Sequence, residues 1–93
     1  MTPREEVYAA IDGERRYQFF RATEVGDTEE HQHSLEEWAI YIESYLDEMK
    51  ESLARVWRHD GKPNLNELNI LRKITAMGVA AMEQHGAPRR EGF

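Results

Sequence analysis

The stretch SLEEWAIYIESYLDEMKESLARVWRH, residues 34–59, carries the longest helical pattern in the chain. Ser34 and Glu37 stand three residues apart at its start, so each side chain can accept a hydrogen bond from the other residue's backbone N–H group, as in a capping box. Apolar residues recur at seven-residue intervals, at Leu35, Ile42, Met49 and Val56, with Trp38, Ala39, Tyr45, Leu46 and Leu53 between them. This spacing predicts a bundle helix that packs against a neighbouring helix at a shallow angle.

Two more capping boxes predict two more helices. Thr2 and Glu5 frame the first, with Pro3 at the first helical position, and Asn64 and Glu67 frame the third. The DGKP turn at 60–63 ends the second helix, and Gly86 ends the third. We therefore expect one all-α domain, residues 1–93, with helices at about 3–22, 35–59 and 65–85 and a flexible tail at 86–93. The short turn makes the second and third helices an antiparallel hairpin.

The third helix predicts a subunit interface. Its seam consists of Leu68, Leu71, Ile74, Gly78 and Met82, and the segment ITAMGVAAM at 74–82 is apolar on nearly every side. Such a helix needs cover on more than one face, and its small residues allow another helix to approach closely. Because a 93-residue chain buries a modest fraction of its surface, we expect a homo-oligomer that completes the bundle. The expected interface residues are Ile74, Met77, Gly78 and Ala81.

Composition excludes several classes of function. Eighteen acidic and twelve basic residues give a formal net charge of -6, which argues against a nucleic-acid partner. The chain has no cysteine, so it has neither a disulfide framework nor a thiolate metal site. No apolar run approaches the roughly 20 residues of a membrane span, and we expect no membrane partner and a cytoplasmic location.

Carboxylates beside the seam of the second helix suggest a Mg²⁺ site. Glu43 and Asp47 lie one helical turn apart, and Glu14 falls level with Glu43 if the first helix folds back along the second. Mg²⁺ is held by carboxylates, water and substrate phosphates, so these three are the candidate metal ligands. The alternative is a solvated acidic face neutralised by Lys50.

Polar residues in the first helix raise a related question. Its apolar stripe continues through Glu14, Gln18 and Arg21, which either face water beyond the end of the bundle or line a polar cleft. In a cleft, Gln18 and Arg21 would contact a substrate, with Trp38 as an apolar or stacking wall. In the following loop, His31 and His33 have alternate spacing that would suit a metal, although a solvated histidine pair is the simpler interpretation.

Three segments in order resemble small phage-encoded relatives of the MazG-type nucleoside triphosphate pyrophosphohydrolases. They are ERRYQ at 14–18, EEWAIYIESYLDEM at 36–49 and LRKITAMGVAAMEQHG at 71–86. The resemblance implies an all-α, oligomeric protein that uses Mg²⁺ to hydrolyse nucleoside triphosphates to monophosphates and pyrophosphate. Glu43 and Asp47 fall where the first acidic motif is expected, four residues apart where the family has three. The second motif reads Asn69 and Ile70, with Glu67 nearby, which implies weakened or lost catalysis.

Two functional hypotheses follow from the sequence. In the first, the protein is a phage-encoded MazG-like nucleotide-binding protein, located in the cytoplasm of a host cell, whose pyrophosphohydrolase activity is retained or lost. In the second, it is a non-catalytic helical oligomer that acts as a phage accessory or host-interaction protein, with a protein as its partner. Nucleotide binding with and without Mg²⁺ distinguishes the two.

Overall fold

Three α-helices make up the ordered part of a computed structural model, which describes residues 1–24, 32–59 and 65–92, without the side chains of residues 22, 23 and 56–59. Helix α1 spans Pro3–Glu24, α2 spans Leu35–His59 and α3 spans Leu65–His85. No strand occurs in these ranges. The all-α prediction is confirmed, and α1 continues two residues beyond its predicted end. Within the described part of the chain, no helix is long and apolar enough to cross a membrane.

Capping boxes start the first two helices as predicted. The backbone N–H of Ser34 donates to Glu37 Oε1 at 2.9 Å, and that of Glu37 donates to Ser34 Oγ at 3.1 Å. Thr2 and Glu5 exchange the same pair of bonds, at 3.2 and 3.1 Å. The N–H donors, followed by the hydroxyls, hold the pKa of Glu5 and of Glu37 below the usual value for a glutamate. Asn64, the predicted cap of α3, lies outside the described residues, as does the DGKP turn.

Gly86 ends α3 in the left-handed region of backbone conformation. Its φ is 119°, and its N–H donates to the carbonyl oxygen of Met82 at 2.8 Å. A residue with a Cβ is strained at this φ, so glycine fits the position and satisfies one of the last carbonyl groups of the helix. The predicted helix end is therefore correct; the predicted flexibility of the tail beyond it stays a prediction.

Helix α3 lies between the other two. Helix α2 runs antiparallel to it, with Ser52 beside Glu67 at one end of the pair and Trp38 beside Gln84 at the other. This arrangement confirms the predicted hairpin. On its other side α3 packs against α1, and no Cα atom of α1 lies within 8 Å of one of α2 among the described residues.

The position of α1 differs from the sequence-based expectation that it would fold back along α2. Its inward positions include Glu14 and Arg15, which form ion pairs with Arg72 and Glu83 of α3. Helix α2, in contrast, presents carboxylates beside its buried face. Opposite charges on α3 therefore satisfy the polar side of α1, and the three helices form an open layer with α3 in the middle.

The hydrophobic core lies between α2 and α3. Trp38 fills a space made by the small side chains Ala80 and Ala81, beside Met77, and Ile42 and Tyr45 pack against this cluster. The predicted seam of α2 is only partly buried. Leu35 and Leu46 remain 57% and 43% exposed because a single neighbouring helix covers only one side of the seam.

The layer is less compact than a single globular domain. Its radius of gyration is 15.2 Å, whereas a compact domain of this length has a value of about 12 Å. An open layer of three helices buries each outer helix on one side only, which accounts for the larger radius. Surface that a closed bundle would bury is exposed in the single chain.

Candidate functional site between the three helices

A polar cluster joins α1 to α3. Glu14 Oε1 accepts a hydrogen bond from Arg72 Nε at 2.8 Å, and the Glu14 side chain is only 10% exposed. Arg72 also donates to Asn69 Oδ1 at 2.6 Å through Nη1. Glu14 thus has a cation at hydrogen-bonding distance and is not a bare carboxylate waiting for a metal ion.

A second charged pair lies one helical turn farther along α1. Arg15 Nε donates to Glu83 Oε1 at 2.6 Å, and Arg15 Nη1 donates to Gln18 Oε1 at 2.9 Å. The Arg15 side chain is 16% exposed, so its aliphatic part packs between the helices while its guanidinium group links them. Together the two pairs fix the register of α1 on α3.

A cavity of about 230 Å³ opens between the three helices beside this cluster. Its lining consists of Glu14, Tyr17, Gln18, Tyr45, Lys73 and Met77. Lys73 Nζ lies 6.0 Å from the centre of the Tyr45 ring. We refer to this cavity as the central cleft. It combines a cation, two phenol groups and an amide, which suits a small polar or anionic ligand group.

The predicted substrate residues are distributed unevenly around the central cleft. Gln18 lines it, in agreement with the polar-cleft interpretation of α1. Arg21 is exposed at the end of α1 and pairs with Glu24 at 3.3 Å. Trp38 is 8% exposed and belongs to the core. As the chain stands, its ring packs within the fold and does not present a face for stacking; its substrate role stays a prediction.

The predicted metal ligands lie apart in the single chain. Glu14 pairs with Arg72, whereas Glu43 is exposed on α2. Asp47 is also exposed, with Lys50 Nζ 3.9 Å from its Oδ1. Within the described ranges, no group of three His, Asp or Glu side chains is placed to hold a metal ion. The Mg²⁺ site therefore stays a prediction, and it requires residues from a second chain or a rearrangement of α1.

An aromatic and amide network closes the open end of the α2–α3 hairpin. Gln84 Oε1 accepts hydrogen bonds from Trp38 Nε1 at 2.9 Å and from the backbone N–H of His33 at 3.2 Å. The His33 ring meets the rings of Trp38 and Tyr41 edge to face, with centroids 5.1 and 5.0 Å apart. His85 Nε2 lies 2.8 Å from the carbonyl oxygen of His33.

This network gives His33 a structural position. Its ring packs against aromatic rings, and its Nδ1 lies 3.6 Å from Glu37 Oε2. The other histidine of the predicted pair, His31, lies outside the described residues. Sequence reasoning did not identify Gln84 or His85 as partners of this segment. The available signal was their position at the end of α3, level with the start of an antiparallel α2.

Glu67 is the most deeply buried charged residue that the structure describes. Its side chain is fully buried, and its Oε1 accepts a hydrogen bond from Ser52 Oγ at 2.5 Å. The sequence placed Glu67 in the cap of α3 and near the degenerate second acidic motif. The structure places it inside the α2–α3 interface, away from the central cleft, where it joins two helices.

The predicted interface residues divide into two pairs. Met77 and Ala81 are 8% and 6% exposed and pack against α2 within the chain. Ile74 and Gly78 are half-buried. An interface on α3 that leaves the α2–α3 core intact would therefore use Ile74 and Gly78 and not the other two. The interchain role of all four stays a prediction.

Comparison with protein-family models, curated proteins and solved structures gave no match to this chain. The resemblance to MazG-type enzymes therefore rests on the three sequence segments alone. The fold and the central cleft provide the physical basis for the functional proposals.

Proposed function

We propose that this protein is a non-catalytic helical protein that acts by associating through its apolar surfaces, first of all with itself. The observation that carries the proposal is the exposure of large apolar side chains on every helix, for example Val7 at 56%, Ile40 at 65% and Leu68 at 52%. A monomer rarely exposes apolar groups in extended patches unless they form an interaction surface. A role as a phage accessory or host-interaction protein is consistent with such a surface.

The carboxylates support the same proposal. Glu14 and Glu83 form ion pairs with arginines between α1 and α3, where they determine how the helices pack. A metal-dependent hydrolase needs carboxylates that are free to bind the ion and stabilise the charge of the transferring phosphoryl group. In this chain the most buried carboxylates have a structural role instead.

Sedimentation equilibrium over a wide range of protein concentration tests the proposal. We expect a mass of at least two chains at all but the lowest concentrations. A mass of one chain up to the highest concentration, in a protein whose helical circular dichroism is intact, would contradict self-association. Repeating the measurement with nucleotide and Mg²⁺ separates association of the protein alone from ligand-driven assembly.

We propose Mg²⁺-dependent nucleotide binding in the central cleft as a second candidate function. It is supported by the convergence of Glu14 and Gln18, both predicted from the sequence, with Lys73, whose ammonium group would attract a phosphate. The cavity of about 230 Å³ is smaller than the roughly 300–1,000 Å³ of pockets that enclose a whole small-molecule ligand. It would therefore hold the phosphates and leave the base outside or against another chain.

Isothermal titration with a panel of nucleoside triphosphates, with and without Mg²⁺, tests this candidate. Binding that requires Mg²⁺ and is abolished by Glu43→Gln would support it. Glu48→Gln is the matched control, because Glu48 is also exposed on α2 but is not a predicted ligand. If no nucleotide gives heat, or if both variants bind like the wild type, the predicted metal role of Glu43 is wrong. Pyrophosphate release would then be measured only for nucleotides that bind.

A further inference from the structure

A groove on the outer side of α1 and α3 is separate from the central cleft. It has a volume of about 210 Å³ and is lined by Val7, Ala10, Ile11, Leu68, Leu71, Arg72 and Thr75. We call it the α1/α3 groove. Arg72 is the one charged residue in this lining, and Glu14 neutralises it from within the chain. The groove is thus an apolar concave surface without a carboxylate.

The surface of α3 continues beyond the groove as a regular seam. Leu68, Leu71, Thr75, Gly78 and Met82 follow one another at intervals of three and four residues, the spacing by which one helix packs along another. Leu68, Leu71 and Met82 are 52%, 42% and 48% exposed. Neither α1 nor α2 covers this seam, although it carries no charged residue along more than four helical turns.

We infer that a second copy of this chain packs against the α1/α3 groove and the adjoining seam of α3. The inference rests on the proposed self-association and assigns it to one surface. It moves the predicted interface around α3, from the side of Met77 and Ala81 to the side that shares Gly78. A two-fold axis would bring the same surface of each copy together.

The exposed area of the chain fits an interface of this kind. The single chain exposes 7629 Å², whereas a folded monomer of 10.9 kDa exposes about 5,600 Å². The excess is about 2,000 Å² per chain, and obligate homodimers bury about 2,000–5,000 Å² in total from both chains. A pair of chains would therefore reach the usual exposure of a folded protein by covering part of the excess on each.

Charge favours a second copy as the occupant of this groove. Two chains with a formal net charge of -6 each repel one another, so they associate best through a surface that carries no net charge. Other exposed apolar residues do not offer this. The hollow beside Phe19, for example, is lined by Asp12 and Glu83 as well as by two arginines. A basic partner would instead be attracted to the acidic side of α2.

Two glycines provide a matched pair of variants. An ideal Cβ on Gly78 or on Gly13 would meet no heavy atom within 4 Å, so a leucine at either position fits the single chain. Replacing a glycine inside a helix also raises helix propensity in both cases. Gly78 lies on the seam, whereas Gly13 lies on α1 and does not line the groove. The two variants therefore differ in what they do to a partner on this surface.

Sedimentation equilibrium of the full chain and its variants tests the inference. We expect Gly78→Leu to raise the dissociation constant for self-association by about tenfold or more, with wild-type helicity, while Gly13→Leu associates like the wild type. Leu68→Glu places two carboxylates on facing copies and should weaken association in the same way; it decides the test if Gly78→Leu fails to fold. Wild-type association of both Gly78→Leu and Leu68→Glu would overturn the inference but leave the proposed function standing. A monomeric wild-type chain would overturn both and would mean that the groove receives a different partner.

Discussion

The substitution Gln84→Met tests the network that closes the α2–α3 hairpin. Methionine has a similar length and can follow the same path, but it cannot accept the hydrogen bonds that Gln84 Oε1 receives from Trp38 Nε1 and from the backbone N–H of His33. The substitution therefore removes the acceptor while keeping most of the packing. Its effect measures how strongly this end of α3 is tied to the start of α2.

The expected loss of stability follows from the burial of the two donors. Trp38 is 8% exposed, and a buried donor left without an acceptor costs about 1–3 kcal/mol. The N–H of His33 is half-buried and can turn to water, so its loss costs less than about 1 kcal/mol. We expect a total of about 2–3 kcal/mol, out of about 5–14 kcal/mol for a chain of 93 residues. The melting temperature should fall by roughly 10–20 °C.

Urea unfolding followed by circular dichroism, at one fixed protein concentration, measures this change. A double-mutant cycle with Trp38→Phe separates the Trp38 bond from the other contacts of Gln84, since phenylalanine lacks the indole donor. We expect a coupling energy of about 0.5–1.5 kcal/mol. A coupling energy below about 0.3 kcal/mol, within the error of additivity, would refute the assignment of this bond as a tie between the helices.

Two further predictions concern ion pairs and caps. Arg72→Gln should destabilise the chain by about 1–3 kcal/mol, because it leaves the Glu14 carboxylate, 10% exposed, without its cation. Arg16→Gln is the control for urea unfolding and should cost less than about 1 kcal/mol, since its ion pair is exposed on both sides. Because Ser34 lowers the pKa of Glu37 from 4.5 in the folded state, the cap stabilises the fold above that pH and is lost as the pH falls through the folded value. Thermal unfolding from about pH 5 to about pH 3 should therefore destabilise the wild type more than Glu37→Gln; parallel curves would contradict the role of the cap.

The elements of this fold could be predicted because their signals are local. Capping boxes at Thr2 and Ser34 and the terminating Gly86 depend on residues three or four positions apart, and each operates in the structure as expected. The hairpin of α2 and α3 followed from the brevity of the turn between them. These features require no knowledge of what lies across the core.

The position of α1 could not be predicted in this way. Its inward side carries Glu14 and Arg15, so periodicity gave no strong direction, and the outcome depended on which neighbour supplied opposite charges. Arg72 and Glu83 of α3 supply them. In the sequence they are ordinary exposed helix charges, separated from their partners by most of the chain. Long-range ion pairs of this kind are visible only once the helices are placed.

The candidate site was predicted least well for the same reason. Grouping Glu14 with Glu43 and Asp47 assumed that α1 lies along α2. With α1 on the far side of α3, Gln18 and Glu14 reach the central cleft, whereas Glu43 does not line it. A Mg²⁺ site that uses all three residues within one chain would require α1 to leave Arg72. That movement would break the buried ion pair before any metal ion is gained.

The apolar character of α3 is the feature that sequence and structure explain together. The segment at 74–82 is apolar on nearly all sides, and a helix with two neighbours in an open layer buries only two of its sides. Met77 and Ala81 face α2, and Ala76 is fully buried beside them in the same helix. The remaining side, from Leu68 to Met82, has the spacing of a packed seam but no neighbour in the described chain. A third neighbour is what this composition requires, and a second copy, equally acidic elsewhere, fits the one uncharged side that is left.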